Sequence, residues 1–162
     1  MVRSSISPSM RLILKLIDQS YNKRSWHGTN LRGSVRGLTA HQALWRASPG
    51  RHNIWEIVVH CAYWKYAVRR RILGEKRGSF PLKGSNWFRR EGKLPENQWR
   101  NDIRLMEECH CSLREAVAKL SVKDLRHHHR GSAVDVAMLL TGIASHDIYH
   151  AGQIQILKRL MK

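Results

Sequence analysis

Acidic residues are scarce in this chain: 12 Asp and Glu stand against 29 Lys and Arg, a formal net charge of +17. Such a balance can serve nucleic acid or an anionic membrane. The basic residues, however, are spread over the whole chain and not gathered into a tail. The densest stretch is Arg69, Arg70 and Arg71, followed by Lys76, Arg77, Arg89, Arg90 and Lys93. Zinc-finger, RNP-type and Gly-rich phosphate signatures are all missing. Nucleic acid is therefore an alternative partner and not the favoured one, and the cluster reads first as a solvated surface. No charged-then-apolar leader opens the sequence, so no signal peptide is expected. The longest apolar runs, such as Ala137-Met138-Leu139-Leu140, are far too short to cross a bilayer. Cysteine is rare as well. The three present have no disulfide-framework spacing, and Cys109 and Cys111, two apart, fall on opposite sides of a helix, which argues against a joint metal site. These absences predict a cytoplasmic, reducing location and no membrane partner.

Strand-like alternation is missing throughout, and so is any internal repeat. What remains is ordinary globular composition, 42% hydrophobic and 25% charged, in a length that makes one domain. Residues 1–8 read as a flexible N-terminus and 9–162 as a single domain. A first helix over about 9–22 carries Met10, Ile13, Leu14, Ile17 and Tyr21 on one face, with Ser9 as its cap. Short helical pieces follow at about 31–37 and after Thr39. The second long helix, about 54–73, has the stripe Ile54, Ile57, Cys61, Trp64 and Val68 and stops at Gly74. Residues 75–95 form a long irregular segment whose Phe80, Trp87 and Phe88 suit a lid over an opening or a loop covering the bundle's side. Pro95 opens the third long helix, about 96–120, with Trp99, Ile103, Met106, His110, Leu113 and Val117 on one face. A fourth runs over about 133–161, with Ser132 and Asp135 resembling a capping box. Four long amphipathic helices without strands predict an all-α antiparallel four-helix bundle, decorated by short helices and the long loop.

The chemistry concentrates in His146-Asp147-Ile148-Tyr149-His150. Residues four apart share a helix face, and both histidines fall in the stripe of Val136, Leu139, Ile143, Ile154 and Leu157. Buried imidazoles need partners, and a divalent metal satisfies two at once; a satisfied pair of core histidines is the competing explanation. The 12 residues after His150 contain no His, Cys, Asp or Glu. A third ligand must therefore come from another helix. Spacing leaves His60, His110 and His27 open, with His110 more central on its stripe than His60. The tri-histidine run at His127, His128 and His129 looks like a metal tract, but sequence neighbours point apart. The pattern departs from zincins, since Asp147 stands where their Glu base would be and their downstream ligand is missing. It also lacks the paired Glu-x-x-His motifs of di-iron bundles: Glu107 with His110 is a single example. Asp147 points about 100° away from its neighbour around the helix, which suits a surface or hydrogen-bonding role better than that of a base. Gln153, one turn beyond His150, could orient that ligand or touch substrate. Trp64, one turn beyond His60, suits either a cavity wall or core packing.

Several segments resemble the DinB-like superfamily of helical bundles, which also includes the YfiT-type thiol transferases. They are Trp26-His27-Gly28, the stretch Leu38-Thr39-Ala40-His41-Gln42-Ala43-Leu44-Trp45-Arg46 leading to Pro49-Gly50, Asn53-Ile54-Trp55-Glu56-Ile57-Val58-Val59-His60, and His146-Asp147-Ile148-Tyr149-His150-Ala151-Gly152-Gln153-Ile154. The resemblance implies one metal ligand early in the second long helix and two on the last, which are His60, His146 and His150 here. Three imidazoles with an open position suit zinc or nickel above iron or manganese. The resemblance further implies a homodimer and a small-molecule substrate. It suggests transfer of a low-molecular-weight thiol to an electrophile; a metal with an open position would also suit hydrolysis by metal-activated water. Trp64, Gln153 and His27 are the candidate substrate contacts. The family's name refers to induction by DNA damage and adds no meaning to the basic charge.

Overall fold

The computed structural model describes residues 6–76, 78, 80–129 and 133–161. Among these are six α-helices: α1 (Pro8–Tyr21), α2 (Leu31–Ser34), α3 (Ala40–Leu44), α4 (Ile54–Ile72), α5 (Glu96–Ala118) and α6 (Val136–Leu160), with a 3-10 turn at Val122–Arg126 before α6. The four long helices form the bundle. α4 packs on α5 and α6, and α1 packs on α6 and α5, so that α5 and α6 stand across the bundle from each other. That arrangement decides which histidines can meet.

Each helix begins where local chemistry satisfies its free N–H groups. The Ser7 hydroxyl, not that of Ser9, caps α1 by accepting from the Met10 amide, and Pro8 occupies the first turn, where its fixed φ costs nothing. Hence the helix starts one residue earlier than the expected loose segment allowed. Thr39 and Gln42 form a reciprocal capping box on α3, and Asn53 and Glu56 form one on α4. The short piece expected to reach residue 37 ends at Ser34, with Asn30 as its cap. α6 begins at Val136, later than expected, because Asp135 itself is the cap and accepts from the Met138 amide; Ser132, the expected cap, lies outside the described residues.

The stripe of α1 is buried as expected: Met10, Ile13, Leu14, Ile17 and Tyr21. So are most of the stripe residues of α4 and α5. α6 is buried over more of its circumference than a surface helix, since α1, α2 and α4 all press on it. That accounts for Asp147, expected in a surface or hydrogen-bonding role: it is 1% exposed, and the hydrogen-bonding role is the one it takes. It forms a salt bridge to Lys65 of α4, also 1% exposed. Removing either partner alone would leave an uncompensated buried charge, at a cost of about 3–5 kcal/mol. The Lys65 ammonium also stands 4.9 Å over the Tyr21 ring. Two tryptophans anchor the other half of the core: Trp55 donates to Asp102 Oδ2 at 2.6 Å, and Trp99 donates to the Leu38 carbonyl at 2.9 Å.

Candidate metal centre

His60 lies in the first half of α4, and His146 and His150 lie one turn apart on α6, so the contact between these helices brings the three imidazoles together. His146 Nε2 is 3.0 Å from His60 Nε2 and 3.1 Å from His150 Nε2. Their donor atoms all fall within 4.8 Å of one another. Two imidazole nitrogens bound to one ion at about 2.0–2.1 Å stand roughly 3 Å apart when they subtend about a right angle. The observed spacing fits that.

The opposite ring nitrogens show why these contacts suit a cation. His60 Nδ1 is 2.8 Å from the Asn86 carbonyl, an acceptor only, so this nitrogen carries the proton and donates. His150 Nδ1 donates to Gln153 Oε1 at 2.7 Å, and the Gln153 amide donates on to the Tyr149 hydroxyl at 3.0 Å. Both rings therefore present bare Nε2 lone pairs to His146. A single N–H on His146 Nε2 could satisfy only one of them. Burial also keeps the rings uncharged. It pushes His146 down to about 3, with help from the charges of His150, His60 and Lys65, and His150 down to about 4. His60 is lowered too, first by burial, although its bond to Asn86 pulls the other way. Neutral imidazoles with converging lone pairs, two of them with hydrogen-bonded outer nitrogens, are compatible with a metal site.

Most of the support comes from the segment between α4 and α5. Asn86 has a left-handed backbone, φ 65, uncommon for a residue with a side chain. Its carbonyl holds His60, while its side-chain oxygen accepts from Trp64 Nε1 at 2.9 Å. Trp87 stacks on His60 at 3.8 Å and, on its other face, on His52 at 3.6 Å. Glu56, 3% exposed, secures this segment. It accepts from Arg46 at 2.9 and 2.6 Å and from the Arg90 amide at 3.0 Å, and stands 3.0 Å from His52. Burial alone would raise its carboxyl, but the Arg46, Arg90 and His52 bonds outweigh that and hold it at about 2. Arg90 also pairs with the buried Asp102 at 2.9 Å. Arg46 and Arg90 are thus internal ties, not members of a solvated basic face.

The other candidates fall elsewhere. His110, central on its stripe, faces Tyr21 across the α1–α5 contact and stacks on it at 3.7 Å; burial, with the charges of Lys65 and Arg114, drives it to about 2. α5 packs chiefly on α4, and His110 joins no metal-capable set among the described residues. His27 is exposed and stands apart from the cluster. Trp64 flanks the centre, 6.3 Å from both the His60 and the His146 rings, and Gln153 holds His150. Periodicity did not reveal Asn86, Glu56 or Arg46; the one local signal was the Asn53–Glu56 cap spacing. A second donor set, Cys61, His146 and Asp147, also lies within 4.8 Å. Burial holds the Cys61 thiol protonated, and Lys65 pairs with Asp147 Oδ2, so of this set only His146 and the Asp147 Oδ1 keep a free donor atom. No helix among the described residues is long and apolar enough to cross a membrane.

No curated protein and no solved structure matches the chain. A sequence model of the DinB superfamily does, over residues 24–154. That span holds α4, α5 and most of α6, with His60, His146 and His150. A helical bundle matched over most of its length, with its histidine cluster inside the match, makes this chain a member of the DinB superfamily.

Proposed function

We propose that the protein is a metal-dependent enzyme whose centre is a mononuclear site formed by His60, His146 and His150, with zinc or nickel as the ion. The observation that carries this is the convergence of three Nε2 atoms at 3.0 and 3.1 Å, with two outer nitrogens already committed to Asn86 and Gln153. A divalent ion held by three neutral imidazoles supplies a charge that lowers the pKa of a thiol or water at an open position. The protein's own part is to keep those imidazoles neutral, to aim them through Asn86 and Gln153, and to screen one flank with the Trp87 ring.

Between thiol transfer and hydrolysis, the surroundings favour transfer of a low-molecular-weight thiol to an electrophile. Two separate pockets reach the cluster. One touches His146 and is walled by apolar residues. The other, about 360 Å³, touches His150 and includes Arg51, His52, Tyr149 and Gln153. Two organic reactants need two such spaces; hydrolysis needs one and water. A second copy of the chain is the proposed partner for the exposed α6 side chains Ile156 and Leu160, 61% and 59% exposed. Elemental analysis of protein purified without added metal tests the centre. One transition ion per chain is expected, lost in His60→Ala while the helical circular dichroism persists. Full metal in that variant removes the assignment.

A further inference from the structure

The pocket on the His146 side has a volume of about 220 Å³. Trp64, Leu139 and Ile143 wall it, and its polar side chains are His146, Arg71 and the Trp64 indole. The indole N–H is already bonded to Asn86. Arg71, in the last turn of α4, is exposed, and its guanidinium carbon lies 5.7 Å over the Trp64 ring. Its neighbours are engaged: Arg69 pairs with Glu75 at 2.9 Å, and Arg70 donates to the Glu75 carbonyl at 3.1 Å. Arg71 makes no ion pair among the described residues; its contact is with the indole face.

These features define a ligand. Apolar walls reject a polar body, whose hydrogen bonds would go unmade there. A dry cavity of about 150 Å³ holds one benzene, so this space holds a ring of that size with a short linker. A free guanidinium beside it is a two-point donor for a carboxylate or similar anion. The ring of His146 ties the same space to the candidate metal centre. We propose that this pocket binds the electrophilic substrate. That substrate is a small amphiphile with an apolar body about one aromatic ring in size, an anionic group at Arg71 and its reacting end toward His146. This proposal rests on the metal-dependent reading above, and it assigns Arg71 as the residue that selects for the anion.

Gly142 provides a clean way to close the pocket. It lines the space, and a Cβ built there meets nothing within 4 Å, so the side chain of Gly142→Leu starts into open space beside the cavity it is meant to fill. It also removes a helical glycine, which favours the fold. The probes are 3-phenylpropionate and its neutral counterpart 3-phenylpropan-1-ol, titrated into the purified protein by calorimetry while the Trp64 indole resonance is followed. Metal content is measured on the same samples. The carboxylate should bind saturably and shift the Trp64 signal. Gly142→Leu should abolish binding of both probes. Arg71→Gln should weaken the carboxylate at least about tenfold and leave the alcohol unchanged. Absence of carboxylate binding to the unaltered protein, or equal binding to Gly142→Leu, overturns the proposal. An equal effect of Arg71→Gln on both probes, or none on either, overturns the anion assignment. Intact probe binding in protein free of metal would sink the metal reading alone; loss of probe binding with metal present would sink only the pocket.

Discussion

The chain contains two groups of three histidines, and they behave in opposite ways. His127, His128 and His129 adjoin in sequence but form no three-donor set among the described residues. His127 and His129 meet only edge to face, at 4.8 Å between rings, and His128 pairs through its backbone with Asp135. The His127 carbonyl accepts from the Val136 amide. This run uses its main chain to set the start of α6, and no metal-capable set that includes it comes together among the described residues. His60, His146 and His150 stand as much as 90 positions apart and converge on one point. The difference is framing. A helix holds residues four apart on one face, and a packed partner helix supplies the third. Consecutive residues in an irregular segment have no such frame. Nor is convergence enough. Two of the cluster's three outer nitrogens are held by Asn86 and Gln153. The His146 Nδ1, like that of the buried His110, has no hydrogen-bond partner among the described residues, and His110 differs in that its ring has only a stacking contact, with Tyr21.

The sharpest way to break this comparison is to exchange the losses. His146→Ala should lower affinity for zinc by more than about 100-fold, since a ligand should cost more than an outer-shell partner. Joint replacement of His127, His128 and His129 by alanine should leave it unchanged. Titration against a competing chelator measures both, and equal effects would erase the distinction. The next largest effect concerns aim. Gln153→Ala frees His150 Nδ1 and should weaken metal binding about 10–100-fold, with a changed cobalt visible spectrum. Gln153→Glu, which keeps an acceptor at that nitrogen, should restore most of it. A spectrum unmoved by Gln153→Ala would make Gln153 mere filling. The smallest effect is on pH dependence. His146 and His150 are held by burial at about 3 and about 4, below the ordinary value of about 6.5. Over that interval the unfolded chain binds more protons than the folded one. The stability contributed by the neutral cluster is therefore complete above about pH 6.5 and falls away as the pH drops toward about 3. Urea unfolding of the metal-free protein at several pH values should show this slope, and His146→Asn should flatten it. A slope of opposite sign would mean that the cluster is charged in the folded state.

Much of the fold could be read from spacing. The stripe of Met10, Ile13, Leu14, Ile17 and Tyr21 marked the buried face of α1, and Thr39 marked the start of α3. Boundaries shifted by a few residues where one capping side chain prevailed over its neighbour, as with Ser7 and Asp135. The pair His146 and His150 was legible for the same reason: it is an intrahelical relation. Its third member was not. Spacing leaned toward His110, and the family resemblance, not periodicity, pointed to His60.

By itself the sequence determined the helices, their buried stripes and the alignment of two histidines on one face, because these depend on interactions within a few residues. Only the tertiary structure decided which faces meet. It set α4 against α6 and α5 across from it, which brings His60 to the pair and sends His110 to Tyr21. It buried Asp147 against Lys65, and it folded residues 80–91 so that Asn86 and Trp87 complete the surroundings of His60. The physical reason is that a helix's periodicity specifies the direction of its apolar side and not the identity of what lies there. That identity follows from how the four stripes pack together at once.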